Sequence, residues 1–347
     1  MESPSTRSHS LEVIDVIEET AEAVSVVFSR PEGETFAYLP GQFLTLRVPG
    51  TPEDGTSWAP RCYSLSSTPA VDPHLQVTIK RTAGGYASNW LCDNAKPGLV
   101  LESLTPGGRF IVSDDPDELV LLAAGSGITP VLSILRSELT GSSASITLIY
   151  ANRDRNSIIF DSALAQLEAT YPNRLRVTHW LESERGLPDA AGLRSAFPAS
   201  TITTSAYLCG PTGFMDAAVA AAVAAGIDRA RIHREAFASL TTDPFDEPSL
   251  APDSSNDVAT VTVTLDGTTA TLPWPTEQVL LDTLLAAGLD APYVCREGNC
   301  GGCAFKLLDG EVRMLINDAL DDYEIGSGVR LACQSVPCVD EITVEFD

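Results

Sequence analysis

Pro292–Phe305 reads PYVCREGNCGGCAF, and Arg330–Ser335 reads RLACQS. Cys295, Cys300 and Cys303 are spaced C-x4-C-x2-C, and Cys333 follows alone much later. This is a spacing with which four thiolates hold a [2Fe-2S] cluster. Three ligands on one tight loop must turn their sulfurs toward two irons. Gly298, Gly301 and Gly302 stand among them. Residues without a Cβ allow positive φ and a close approach of backbone to inorganic sulfide. The other use of such cysteines is structural zinc, but zinc sites usually show two short-spaced pairs rather than a triple and a singlet. A cluster of this type carries one electron at low potential, on the order of −400 mV. The segment around it must therefore be supplied by something strongly reducing.

Outward from that loop, the chain has 347 residues, enough for two or three domains, with 44% hydrophobic and 7% aromatic residues. No apolar run approaches a membrane span. The opening MESPSTRSHS lacks the apolar core of a signal peptide, so a cytoplasmic protein is expected. Cys62, Cys92, Cys209 and Cys338 lie outside the cluster set, and a reducing compartment argues against disulfides. The formal charge is −25, from 22 basic and 47 acidic residues. That balance argues against nucleic-acid binding by a basic patch. It suits solubility, or steering toward a partner with a basic docking face.

Residues 8–113 read as short β segments broken by Pro and Gly turns: LEVIDVI, AVSVVFSR, QFLTLRV, LQVTIKR and RFIV. Closely spaced strands with few helices predict a small antiparallel barrel. Residues 114–240 alternate strand and helix, from LVLLAAG through ITPVLSILRSEL and SITLIYA to RIHREAF, which predicts a Rossmann-like parallel sheet with helices on both faces. Residues 241–257, TTDPFDEPSLAPDSSND, have no hydrophobic period and read as a linker; if flexible, its 17 residues would span roughly 21–25 Å. In residues 258–347, VATVTVTLDGTTATLPW reads as a hairpin turning at Asp266-Gly267, followed by a helix expected to open at Thr276. AFKLLDGEV, with a second Asp-Gly turn, and EITVEF complete a small sheet clasping that helix. The whole is a multidomain α/β plus β chain.

Several motifs can carry chemistry. Arg61-Cys62-Tyr63-Ser64 supplies a phosphate partner, a flat ring and a hydroxyl able to bond a flavin, although an R-x-Y-S string also occurs in ordinary exposed strands. Gly84-Gly85-Tyr86-Ala87-Ser88-Asn89-Trp90 precedes a short helix, whose free backbone N–H groups and the Ser88 hydroxyl suit an anion. Gly125-Ser126-Gly127-Ile128-Thr129-Pro130 occupies the place of a dinucleotide loop, with Pro130 where a third glycine would stand. The acid that grips a ribose after the second strand is missing; Asn152, Arg153 and Arg155 are there instead, and the arginines can bind a 2′-phosphate or stay solvated. Cys209-Gly210-Pro211 ends the fourth strand, where ligands sit in such sheets, though a buried cysteine is also simply a small core residue.

In their order, PGQF, RCYSLS, GGYASNW, AGSGITP, CGPTGFMD and HREAF resemble the ferredoxin–NADP reductase superfamily with a C-terminal plant-type ferredoxin domain. The resemblance covers nearly the whole chain. It implies a flavin-binding barrel, a nicotinamide-binding α/β domain and a β-grasp ferredoxin domain. It also implies that Arg61, Tyr63 and Ser64 hold the flavin, with Gly85 and Ser88 near its phosphates and Thr129 near the flavin–nicotinamide contact. Cys209 would face the nicotinamide, with Glu235 and Phe237 beside the flavin ring. Ser64, Cys209, Glu235 and Phe237 are thus the expected catalytic set. Lys80, Gly125, Gly127, Asn152, Arg153, Gly210 and Pro211 complete the cofactor-binding set, and the family's own loop has Pro where Pro130 stands. More narrowly, YANRDRNSIIF, THWLESERGLP, FASLTTDPF and LDAPYVCREGNCGGCA look like the reductase components of 3-ketosteroid 9α-hydroxylases. Those use FAD and NADH and feed a Rieske-type oxygenase, here expected as a transient partner of a monomeric reductase. Phenylacetyl-CoA epoxidase reductase, preferring NADPH, is similar in architecture, and phthalate dioxygenase reductase, with FMN, is more distant. The flavin would bridge a two-electron donor to a one-electron cluster, leaving the protein to position and tune. A flavin and iron–sulfur redox sensor is the competing class, but no DNA-binding or signalling module is evident.

Overall fold

A computed structural model describes residues 8–31, 36–50, 58–112, 116–199, 201–237, 239–240, 243–245, 258–265 and 267–346. The chain forms two compact units, Met1–Phe237 and Ala238–Asp347.

The first unit opens with β1 (Ser8–Thr20), β2 (Ala23–Phe28), β3 (Phe43–Pro49), β4 (Trp58–Ser64), β5 (Leu75–Lys80), α1 (Tyr86–Asn94) and β6 (Val100–Leu104). The order is β4-β3-β6-β1-β2-β5, with every pairing antiparallel. A bridge between Leu65 and Val77 joins the two ends of that order, so the sheet closes on itself. Side chains alternate across a strand. Leu75, Val77 and Ile79 of β5 therefore share one interior with Val26, Phe28, Leu44 and Leu46. Arg109–Val112, expected as a strand, is not one. Phe110 packs edge-on against Tyr207 at 5.4 Å, and the Tyr207 hydroxyl donates to the Ile111 carbonyl at 3.0 Å. Its apolar residues serve the neighbouring α/β core, a use that looks like a strand in sequence.

That α/β part comprises β7 (Glu118–Ala124), α2 (Ile128–Gly141), β8 (Ser145–Asn152), α3 (Asp161–Thr170), β9 (Leu175–Leu181), α4 (Glu182–Arg185), α5 (Ala190–Arg194), β10 (Ser205–Cys209), α6 (Thr212–Ala224) and β11 (Ile232–Glu235). All five strands are parallel in the order β11-β10-β7-β8-β9. The chain winds outward from β7 through β8 to β9, then returns to β10 on the other side of β7. The switch point thus lies between β7 and β10, and their carboxyl ends frame a crevice. One face buries Ile128, Val131 and Leu135 of α2; the other buries Phe214, Ala218 and Ala222 of α6. Pro130 sits in the first turn of α2, where a missing N–H costs little. Barrel and α/β part are tied by Arg136, whose guanidinium grips both Asp72 oxygens at 2.6 and 2.8 Å, and by Ser133 Oγ, which donates to the Ser67 carbonyl at 2.6 Å.

The second unit contains β12 (Val258–Leu265), β13 (Thr268–Pro275), α7 (Leu280–Ala286), β14 (Ala304–Asp309), β15 (Val312–Met314), α8 (Asp322–Gly326), β16 (Val329–Leu331), β17 (Ser335–Pro337) and β18 (Glu341–Glu345). Its main sheet runs β13-β12-β18-β14-β16, with β12 and β18 parallel and the other neighbours antiparallel; β15 and β17 form a separate ladder. Leu280, Leu281 and Leu284 of α7 join Val261, Val263, Ile342 and Val344 in one core. Thr276 is not the N-cap of that helix: α7 starts at Leu280 behind Val279. The intervening turn is used by Trp274, fully buried, whose Nε1 donates to the Gln278 carbonyl at 2.8 Å. Except for residues 243–245, the expected linker lies outside the described residues, as does Asp266; Gly267 has φ +73°. Among the described residues no helix is long and apolar enough to cross a membrane.

Candidate cluster loop and nucleotide crevice

Cys295, Cys300 and Cys303 lie on the loop between α7 and β14, and Cys333 lies between β16 and β17. Cys295, Cys303 and Cys333 are buried, and Cys300 partly so. The loop folds because its glycines accept what other residues resist. Gly298 and Gly301 have φ of +77° and +69°, and a Cβ on Gly298 would meet the Ile316 carbonyl oxygen at 2.9 Å. Arg296 also has positive φ, +60°, which a side chain tolerates poorly. Its guanidinium pairs with Asp282 of α7, and its carbonyl accepts from Gln334 Nε2 at 3.0 Å, so both ends of the strained residue are held.

Backbone N–H groups converge on sulfur. Glu297 N–H donates to Cys295 Sγ, Gly302 N–H to Cys300 Sγ and Cys333 N–H to Cys303 Sγ, each at 3.4 Å. A hydrogen bond with Cys300 pulls Cys295 down to about 6, and one with Cys303 lowers Cys333 while Cys333 raises Cys303. Pairs of thiolates, each pair facing one iron and stabilised by N–H···S bonds, are the donor set that a two-iron cluster requires. The residues fit that group.

In the first unit, the β7 and β10 loops meet at the switch point. A Cβ on Gly127 would lie 2.1 Å from the Cys209 carbonyl oxygen, and one on Gly210 would lie 2.9 Å from Ala124 Cβ. Only glycines permit this approach. Gly125 has φ +54°, its carbonyl accepts from the Tyr150 hydroxyl at 3.0 Å, and Lys80 Nζ would stand 3.6 Å from a Cβ there. The Thr129 hydroxyl donates to the Ser126 carbonyl at 2.9 Å, and Pro211 leads into α6. Cys209 and Glu235 are register partners on β10 and β11. Glu235 is partly buried as a residue, yet its Oε2 is fully enclosed without a hydrogen bond. Burial pushes its carboxyl up to about 8, and burial then the Glu235 charge push the Cys209 thiol up. Phe237, two residues on, is exposed. The Asn152 amide is buried with neither polar atom bonded. Enclosed, unpartnered polar atoms beside a glycine-lined crevice suit a ligand's polar groups.

On the barrel, Arg61, Tyr63 and Ser64 lie on β4. Ser64 is buried, Tyr63 packs against the barrel core so that burial raises its hydroxyl pKa, and Arg61 Nη1 donates to the Pro60 carbonyl at 2.7 Å. Gly85 caps α1, and a Cβ there would meet Ser88 Oγ at 3.0 Å; Ser88 Oγ accepts from Thr82 N–H at 3.3 Å. The structure therefore brings Lys80 to Gly125, Gly127 to Cys209 and Gly210, and Cys209 to Glu235. It also adds Glu22, Asp282 and Gln334, which sequence reading missed. Gln334 adjoins a cluster cysteine, a usable signal, whereas Glu22 meets Arg153 from 131 residues away.

Three family matches follow the same order. Residues 10–111 match the oxidoreductase FAD-binding domain, 121–220 the oxidoreductase NAD-binding domain and 263–338 the 2Fe-2S iron-sulfur cluster binding domain. The chain is 50% identical to the 3-ketosteroid-9-alpha-monooxygenase ferredoxin reductase component of Mycolicibacterium smegmatis, covering 98% of each chain. It is 33% identical to one of the polypeptides of 1,2-phenylacetyl-CoA epoxidase from Escherichia coli, covering 99% of this chain and 98% of that protein. The crystal structure of phthalate dioxygenase reductase shares the fold, with a TM-score of 0.59 at 24% identity over 98% of both chains. With FAD, NAD and [2Fe-2S] domains on one polypeptide, the chain is an oxidoreductase that belongs to the family of 3-ketosteroid-9-alpha-monooxygenase ferredoxin reductase components.

Proposed function

We propose that this chain takes electrons from NADH and delivers them one at a time to a Rieske-type terminal oxygenase that hydroxylates 3-ketosteroids. It works as a monomer in the cytoplasm and docks on that oxygenase transiently. A bound flavin would supply the exchange between a two-electron hydride donor and a one-electron acceptor. Arg61, Tyr63 and Ser64 orient the flavin, with Gly85 and Ser88 at its phosphates. Gly125, Gly127, Thr129, Asn152, Gly210 and Pro211 would line the nicotinamide's side of the crevice, with Lys80 binding cofactor beside Gly125. Ser64, Cys209, Glu235 and Phe237 surround the reacting rings. Enclosure of Glu235 favours its protonated form near neutrality, so its carboxyl can donate a hydrogen bond rather than add charge. Cys295, Cys300, Cys303 and Cys333 hold the cluster.

The observation that carries this reading is the loop on which backbone N–H groups converge on the Cys295, Cys300 and Cys303 sulfurs, on a chain that also folds a closed barrel and a switch-point crevice. The named relative supplies the steroid assignment. Purified reductase, NADH and a 3-ketosteroid 9α-oxygenase should together hydroxylate a 3-ketosteroid. Failure there, with efficient NADPH-driven support of a phenylacetyl-CoA epoxidase, would move the chain to that second system.

A further inference from the structure

Arg153 and Arg155 follow β8 directly, at the strand end where an acid usually grips the adenosine ribose in dinucleotide folds. In sequence they invite a 2′-phosphate. In the structure they are engaged. Arg153 Nη2 donates to both Glu22 carboxylate oxygens at 3.3 Å, and its Nε donates to Asp154 Oδ2 at 3.3 Å. Arg155 Nε lies 3.8 Å from Glu184 Oε1. The three carboxylates come from separate places: the turn between β1 and β2, the exit of β8, and α4. Asp154 is fixed further, because its Oδ1 accepts from Ser157 N–H at 3.0 Å.

We propose that Glu22, Asp154 and Glu184 make this chain discriminate against 2′-phosphorylated dinucleotides. The inference rests on the reading of the crevice as a pyridine-dinucleotide site. A guanidinium recognises phosphate through paired N–H donors, and Arg153 has Nε and Nη2 already committed to carboxylates. Three carboxylates against two arginines leave excess negative charge where a 2′-phosphate would add more. An unmodified ribose hydroxyl is neutral and feels little of this. The groups are substantially exposed, so such pairs add little to stability and act through local charge, which salt screens. Glu22 makes the barrel, rather than the nucleotide domain alone, a determinant of cofactor choice.

The test is calorimetric titration of the flavin-loaded full chain with 5′-AMP and with adenosine 2′,5′-bisphosphate. Wild type should bind 5′-AMP more tightly. Glu22→Gln should improve binding of the bisphosphate, and Glu22→Gln with Glu184→Gln should improve it further, by about tenfold at low salt, with the gain shrinking as salt rises. The kcat/KM ratio of NADH to NADPH should fall in the same order. If the double variant binds 5′-AMP but shows wild-type discrimination, or if wild type already prefers the bisphosphate, the inference is overturned while the crevice reading stands. If no variant nor wild type binds either nucleotide, the crevice reading fails and the inference falls with it.

Discussion

The cluster loop and the nucleotide crevice solve similar problems with opposite chain economy. In the loop, three of the four sulfurs, three glycines and the strained Arg296 all fall within Pro292–Phe305. In the crevice, Gly127 presses on Cys209, Cys209 faces Glu235, and Arg153 reaches Glu22 from 131 residues away. A locally built site announces itself by spacing. A site built by topology announces only its parts, and the parts acquire meaning when the sheet order places them together.

The comparison predicts a steep, all-or-none response in the loop and graded ones in the crevice. Cys300→Ser should abolish stable cluster binding, because one pair loses a thiolate. Cys338→Ser should retain it, since Cys338 is exposed and outside both pairs. Iron and acid-labile sulfide analysis of the two variants compares them; equal cluster content would break the assignment. Gly127→Ala comes next. Its Cβ would press on the backbone carbonyl of Cys209, and neither group is a flexible side-chain end. Overpacking of this kind costs about 1–3 kcal/mol or more, read as a lower Tm of the first unit together with weaker NADH binding.

The most gradual of these effects is a pH slope. Burial raises the Glu235 carboxyl from 4.5 to about 8 in the folded chain. The folded state then holds a proton that the unfolded state has lost between those values. Glu235 should therefore lower stability as pH rises from about 4.5 to about 8, by up to about 1.4 kcal/mol per pH unit, and leave it flat outside that window. Glu235→Gln should flatten this slope in thermal melts across the window. A variant as pH-dependent as wild type would show that Glu235 does not titrate there.

The same contrast explains how much of the molecule is legible in its sequence. Strand–helix alternation identifies each strand of the parallel sheet, because buried β-branched runs and amphipathic helices differ in period. The β1, β2, β3 and β5 segments are legible as strands, whereas Val100–Leu104 passes unread and Arg109–Val112, apolar enough to look like a strand, is a bent segment in which Ile111 N–H donates to the Arg109 carbonyl at 2.8 Å. The helix expected from Thr276 starts instead at Leu280, since the preceding turn is committed to the Trp274 indole. Among site residues, the cysteines and loop glycines carry their own signal. Asp282, paired with Arg296 from α7, carries none, because an acidic residue on a helix ordinarily faces water. Glu22 is equally silent: it sits in a barrel turn and acts on the other half of its unit.

A hydride-accepting flavin site and a one-electron [2Fe-2S] exit on one chain should both respond to NADH. Anaerobic titration of the purified full-length protein with NADH is followed optically and by electron paramagnetic resonance. The titration starts from a protein expected to carry one FAD, two irons and two acid-labile sulfides per chain. NADH should bleach the flavin and raise a reduced-cluster signal of up to one spin per chain. One zinc with no sulfide, or a flavin that NADH reduces while the cluster stays oxidised in the presence of a low-potential mediator, would contradict it.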